Sequence, residues 1–286
     1  MQDCSAPTPC LAPVGEGEGA PHGAPAAAKL QNVGKGRAVL NGKSSIFAEN
    51  TEQMSTILEI ETSGAPCSAA LTSDGMILAH REDFTGRNHA AMLSDFVKYC
   101  LDYGAEHGLK PDAVAVSLGP GSYTGLRIGL SEAKGLAYAL DVPLIGVKTL
   151  ELLASRVMFS TDDIDPDTIF VPMVDARRME VYTAAYDFGL AELLAPQAMI
   201  LDEGSYADLK ASGRPILYFG SGAAKAQELM ADCPGAVYVP DVEALAVDMV
   251  ALAELAYARR SFIDTAYSVP VYLKEFQATT PKHKVL

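Results

Sequence analysis

The stretch Gly119-Pro120-Gly121-Ser122-Tyr123-Thr124-Gly125-Leu126-Arg127-Ile128-Gly129 constrains this chain more than any other. It follows an apolar run, Ala113-Val114-Ala115-Val116-Ser117, and leads into a small-residue segment ending near Leu140. The order is strand, glycine loop, helix start. Glycine permits positive φ and close backbone approach, and a helix N-terminus favours an anion. Gly119, Gly121 and Ser122 are therefore candidate phosphate-loop residues, with a tight strand–helix turn that holds no ligand as the competing reading.

Periodicity places that loop inside a longer series. Strands are expected at Ile57–Glu61, Cys67–Thr72 and Met76–Arg81, the last two joined by the hairpin signal Ser73-Asp74-Gly75. A helix from His89 to Tyr103 carries Leu93, Phe96, Val97 and Cys100 at helical spacing, with Asn88 as its N-cap. The Val114 strand, the glycine-loop helix, a strand at Pro143–Val147 and a helix at Leu150–Phe159 follow. Beyond the acidic, proline-bearing stretch 161–167, a hairpin Ile169–Val174 and Glu180–Tyr186 is expected. Then come a strand Ile216–Phe219, a helix Ala223–Met230, a strand Ala236–Val239 and a helix Glu243–Arg260. The first half resembles the half-unit of the actin/Hsp70/sugar-kinase (ribonuclease H-like) superfold. The fold class is thus α/β with two lobes, 54–160 and a reduced 161–286. Residues 1–53 are rich in Ala, Gly and Pro and lack apolar periodicity; a disordered extension and a native start at Met54 are both open.

Several residues invite a chemical reading. Thr62, Ser63 and Gly64 stand where that superfold places a first phosphate loop, behind Glu59 and Glu61. A degenerate nucleotide loop competes there with solvated strand-end carboxylates and a tight turn, and the second reading is favoured. Gly220-Ser221-Gly222 resembles another such loop. Asp175-Ala176-Arg177-Arg178-Met179-Glu180 reads as a hairpin turn in which an arginine pairs with Glu180, or as arginines facing an anion or a partner's carboxylate. His80, His89 and His107 are separated, so no helical two-His metal face can form from them. His89 reads as a residue positioning a helix entry. Ser122 lacks a nucleophile-elbow context, which disfavours a hydrolase.

The strings at 119–129 and 175–182 resemble signatures of the TsaB (YeaZ) family, relatives of the TsaD/Kae1 proteins, over roughly Met54 to Leu273. Pro270-Val271-Tyr272-Leu273 also looks family-like. The resemblance implies a non-catalytic subunit in the synthesis of threonylcarbamoyladenosine in tRNA. Such a subunit would pair with a TsaD-type transferase and be met by a TsaE-type ATPase. ATP or ADP and metal would sit on those partners, and tRNA would be reached only through the complex. Where TsaD relatives carry a His-x-x-x-His metal pair, this chain would have Thr149 and Leu153, beside Lys148. A kinase or ATPase of the same superfold is the rival, and a peptidase the weaker one.

The two helices flanking the signature are the expected partner surface, through Met92, Phe96 and Tyr99 on one and Gly129, Leu130, Ala133 and Ala137 on the other. Self-association of the isolated chain is the alternative use. Composition bears on partners too. Of the net charge of −14, residues beyond 53 carry −13, with 18 basic against 31 acidic side chains, which opposes unaided RNA binding. The five cysteines are scattered without a Cys-x-x-Cys pair, as reduced thiols in a cytoplasmic protein would be, with Cys100 expected in the core. No stretch approaches the ~20 apolar residues of a membrane span.

Overall fold

A computed structural model of the chain describes residues 55–86 and 88–274. The extension 1–53 with Cys4, Cys10 and His22, the alternative start Met54, Arg87, and residues 275–286 with His283 lie outside them.

Among the described residues, ten strands form two sheets of five. In the first, β1 (Thr56–Glu61), β2 (Cys67–Ser73) and β3 (Met76–Asp83) are antiparallel neighbours. β4 (Ala113–Gly119) and β5 (Leu144–Lys148) add in parallel on the far side of β1. Strand alternation sends Leu58, Ile60, Val114 and Val116 to one face. There they meet Leu93, Val97 and Cys100 of α1 (His89–Glu106) and Leu130, Ala133 and Ala137 of α2 (Tyr123–Leu140). Ile57, Ala113, Ala115 and Ile145 face the other way, onto α3 (Thr149–Ser160).

The second sheet repeats this plan strand for strand. β6 (Ile169–Asp175), β7 (Glu180–Tyr186) and β8 (Glu192–Ile200) are antiparallel, and β9 (Ile216–Phe219) and β10 (Ala236–Val239) add in parallel beyond β6. The orders β3-β2-β1-β4-β5 and β8-β7-β6-β9-β10 are the same topology. The helices of the repeat are cut down. α4 (Ala207–Ala211) stands where α1 does, and a 3-10 turn Ala223–Ala226 with α5 (Gln227–Met230) replaces α2. The chain is α/β, with two sheets of like topology and shorter helices in the second.

Three expectations need correction. β8 and α4 are additional. The helix expected at Glu243–Arg260 is a 3-10 turn, Ala246–Met249, followed by α6 (Val250–Ala258). Its early residues are drawn out because Leu245 is extended and Ala246 N–H donates to Ser68 Oγ on β2 at 2.9 Å. Asn88 is no side-chain cap: it is left-handed with φ of 59°, and α1 instead gains the contact of His89 Nε2 with Ala65 O at 3.0 Å.

After α6 the chain returns as a strap over the first lobe. Ile263 N–H donates to Leu144 O and Val271 N–H to Leu118 O, both at 2.8 Å. Tyr272 packs its ring on Tyr123 and accepts from Arg127 Nε, and Lys274 pairs with Glu180 of the second lobe. Among the described residues no helix is long and apolar enough to cross a membrane.

Candidate functional site

The first-lobe turn and the glycine loop meet at the carboxyl ends of β1 and β4. Thr62 and Ser63 are buried there. Thr62 Oγ1 donates to Gly125 O at 2.8 Å, and Ser63 O accepts from Ser122 N–H at 2.7 Å. Ser122 in turn caps α2, its Oγ accepting from Gly125 N–H at 3.2 Å. A Cβ at Gly121 would collide with Ser63 O, and one at Gly125 with Thr62 O. The structure therefore brings Thr62, Ser63, Gly121 and Ser122 together as the sequence suggested. What the glycines admit, however, is the chain's own turn. Gly119 adds a left-handed backbone, φ of 105°, at the exit of β4, and Gly64 is half-buried behind Pro66.

The second lobe holds the same pair of loops at the same places in the repeat. Gly220 follows β9 directly where Gly119 ends β4, with φ of 101°. Gly222 N–H donates to Met173 O at 2.9 Å, Ser221 Oγ accepts from Asp175 N–H at 3.1 Å, and a Cβ at Gly220 would lie 2.6 Å from Met173 O. Again the loop is filled by the end of a neighbouring strand. The β6–β7 turn, Asp175 to Glu180, is the counterpart of the Thr62–Gly64 turn, but it projects outward. Asp175 accepts from Arg177 N–H and from Lys225 Nζ, the latter at 2.7 Å. The expected Arg–Glu180 pair is absent among the described residues, because Glu180 pairs with Lys274 of the strap. Burial opposes ionisation of Asp175, but the Lys225 ammonium and the Arg177 N–H hold its carboxyl below the usual value.

Glu59 and Glu61 are not the solvated carboxylates expected. Both are fully buried, facing the 3-10 turn and α6 that return from the far end of the chain. Thr72 Oγ1 donates to Glu59 at 3.1 Å and Ser63 N–H to Glu61, while the second oxygen of each carboxyl has no hydrogen-bond partner among the described residues. Burial raises both, Glu59 well above the ordinary glutamate value, with the charges of Glu254 and Asp248 adding to Glu59 and Glu61 respectively.

The expected partner surface divides. Gly129, Leu130, Ala133 and Ala137 are buried against the sheet, so the small residues serve close helix–sheet packing, Leu130 fills the core, and none of the four can meet a partner. Leu130→Glu would unfold the lobe rather than report on an interface. Met92 and Phe96 are half-buried and Tyr99 is exposed under Arg81, 3.7 Å from its ring centre. Between α1 and α2 lies a groove of about 600 Å³ lined by Ala90, Leu93, Tyr123, Arg127, Ile128 and Ser131. Those α2 positions are the complement of the buried stripe and could have been read from it. Thr149 and Leu153 are both buried, Leu153 in the apolar core. Among the described residues no group of three His, Cys, Asp or Glu is arranged to hold a metal.

Comparison with known proteins bears on what such a site belongs to. A protein-family model described as "TsaD: tRNA N6-adenosine threonylcarbamoyltransferase" matches residues 83–279. The tRNA threonylcarbamoyladenosine biosynthesis protein TsaB of Bacillus subtilis is 32% identical over 182 residues, 63% of this chain and 77% of the relative. Its Escherichia coli namesake is 29% identical over 226 residues, 76% of this chain and 94% of the relative. The solved structure of YeaZ from Pseudomonas aeruginosa superposes with a TM-score of 0.62 at 30% identity, covering 77% of this chain and all of that one. With this spread of similarity and the two glycine-loop pairs in place, the chain belongs to the TsaB (YeaZ) family.

Proposed function

We propose that this chain is an accessory, non-catalytic subunit of tRNA threonylcarbamoyladenosine synthesis in the cytoplasm, supporting a TsaD-type transferase. The observation that carries the reading is the filling of both glycine loops by the chain's own backbone, the β1–β2 turn in one lobe and β6 in the other, in a protein related to TsaB proteins along its body. Loops closed in this way support the view that nucleotide and metal reside on the transferase and on a TsaE-type ATPase. The acidic body supports tRNA contact through the complex only. Reconstitution tests this. Transferase, ATPase, this chain and a source of threonylcarbamoyl-adenylate should modify tRNA, omission of this chain should abolish modification, and the chain alone should modify none. Modification by the purified chain alone would refute the proposal.

The transferase would dock on the exposed faces of α1 and α2 around their groove. Ser131 is exposed on that rim. Ser131→Arg should weaken pairing by roughly tenfold, about 1.4 kcal/mol, in a calorimetric titration, with an unchanged melting temperature. Unaltered affinity would move the docking face elsewhere.

A further inference from the structure

We infer that the β6–β7 turn is a carboxylate-recognition element that presents Arg177 and Arg178 to an acidic segment of a protein partner. The inference deepens the accessory-subunit reading and rests on it for the partner being a protein.

Four observations converge on this turn. Arg177 and Arg178 are successive residues with φ of 71° and 49°, a left-handed pair in conformations that glycine or asparagine usually takes. Retaining two side-chain-bearing residues there costs backbone energy. Second, the local acids are already matched, Asp175 by Lys225 and Glu180 by Lys274. Both arginines are exposed, and neither guanidinium has an ion-pair partner among the described residues. The Arg177 charge is felt by Asp175 without a direct ion pair, and with two acids met by two lysines the turn carries a net positive charge on a chain whose net charge is −14. Third, the frame is fixed: Asp175 holds the Arg177 N–H, Lys225 Nζ reaches Glu180 O at 3.0 Å, and Glu180 N–H returns to Arg177 O at 3.1 Å. Such a frame orders the turn's backbone before any partner arrives. Fourth, the repeat supplies a comparison. The equivalent turn of the first lobe, Thr62–Ser63, is sunk against its glycine loop, whereas here only Asp175 touches the loop, through Ser221, and Arg177 to Met179 are exposed.

The choice between carboxylate and phosphate follows from what remains free. Phosphate cradles are built from backbone N–H groups. Here those of Asp175, Ala176, Arg177, Glu180 and Gly222 are all spent within the fold. Among the turn's remaining donors are two planar guanidinium forks, whose N–H pairs match a carboxylate. A polyphosphate chain would in addition meet the acidic body, which a short protein segment touches only locally.

The test uses the full chain with ¹⁵N-labelled arginine, at about 0.1 M salt, where screening over roughly 10 Å leaves mainly local charge in play. The probes are a capped Glu-Asp-Glu-Asp peptide and a single-stranded RNA of equal charge. The peptide should move the Arg177 and Arg178 Nε–Hε signals saturably, and the RNA should not. Arg177→Lys with Arg178→Lys should weaken the peptide about threefold or more, because the charge stays while the fork is lost. Arg177→Gly with Arg178→Gly should abolish binding while the melting temperature holds or rises, since glycine suits both backbone conformations. A merely structural role for the arginines would instead lower it. Preference for the RNA, absence of saturation with the peptide, or unchanged binding by the glycine variant would each overturn the inference. Pairing with the transferase is measured in parallel. If it persists while the peptide fails to saturate, only this inference falls; if the peptide binds and the transferase does not, the accessory reading falls instead.

Discussion

Gly125→Ala is expected to destabilise this chain by about 3 kcal/mol, although alanine is the better helix former by about 1 kcal/mol. The added methyl would drive into Thr62 O, a backbone atom pinned by the same contact that makes the turn. Neither the β1–β2 turn nor α2 can yield alone, because Ser122 N–H is bound to Ser63 O and Ser122 caps the helix. With each kcal/mol worth roughly 2–4 °C in a body of this size, the melting temperature should fall by about 6–12 °C. Gly135 supplies the control on the same helix: it is exposed, and a Cβ there meets nothing within 4 Å. Gly135→Ala should stabilise by about 1 kcal/mol. Equal behaviour of the two variants would sink the idea that the loop is filled by the turn. The same melting assay reaches the function. A nucleotide bound at the loop would raise the melting temperature as its concentration rises, and ATP with magnesium should leave this protein's unchanged.

Where sequence reasoning succeeded, local pattern and tertiary environment agreed. The strands β7, β9 and β10 and the start of α1 fall at the expected residues, since each is bounded by turn signals. β8 escaped because Glu192–Ile200 is an edge strand with Pro196 inside it and only a half-buried face, so neither alternation nor propensity marks it. The internal repeat would have demanded a third strand there. The stripe Gly125, Gly129, Leu130, Ala133 and Ala137 was visible as helical spacing, but spacing does not say whether small residues serve a partner or the protein's own sheet. Gly129 against Thr62 answers that, a contact between residues 67 apart. The arginine turn was legible as a motif. Its orientation was not, because that depends on Lys225 and Lys274 arriving from elsewhere to neutralise its acids. Glu59 and Glu61 failed for a similar reason. Strand alternation puts them on one face, yet only the return of Ala246–Ala258 onto that face makes it an interior.

That burial makes stability pH-dependent, and the dependence is the second large effect. In the unfolded chain the two glutamates titrate near the ordinary value of about 4.3, while in the fold both are raised. Below the unfolded value each is protonated in either state, and the fold keeps its full stability. As the pH climbs above it, the unfolded chain sheds protons that the fold retains, so the native state is progressively disfavoured until the folded values are passed. Stability should therefore decline from about pH 4.5 upward, each glutamate costing about 1.4 kcal/mol per pH unit until its folded value is reached. Asp175, held low, acts in the opposite sense and matters only as the pH falls toward its own folded value. Glu59→Gln replaces the buried carboxyl by a near-isostere that cannot ionise, and it keeps an acceptor for Thr72. It should raise the melting temperature at pH 8 by several degrees, leave it nearly unchanged at pH 4.5, and flatten the slope between; Glu61→Gln should add to it. Burial sets the direction, and the groups facing the pair add to it. Glu254, bound to Ser55 Oγ and Gly75 N–H, faces Glu59, and Asp248, paired with Arg156, faces Glu61. Ionising the glutamates would set like charges across the seam between β1 and the returning helix, so the rise at pH 8 should exceed what desolvation of either carboxyl alone would give. A Glu59→Gln variant that melts lower than the parent by the same amount at both pH values would show a packing role and no proton held in the fold.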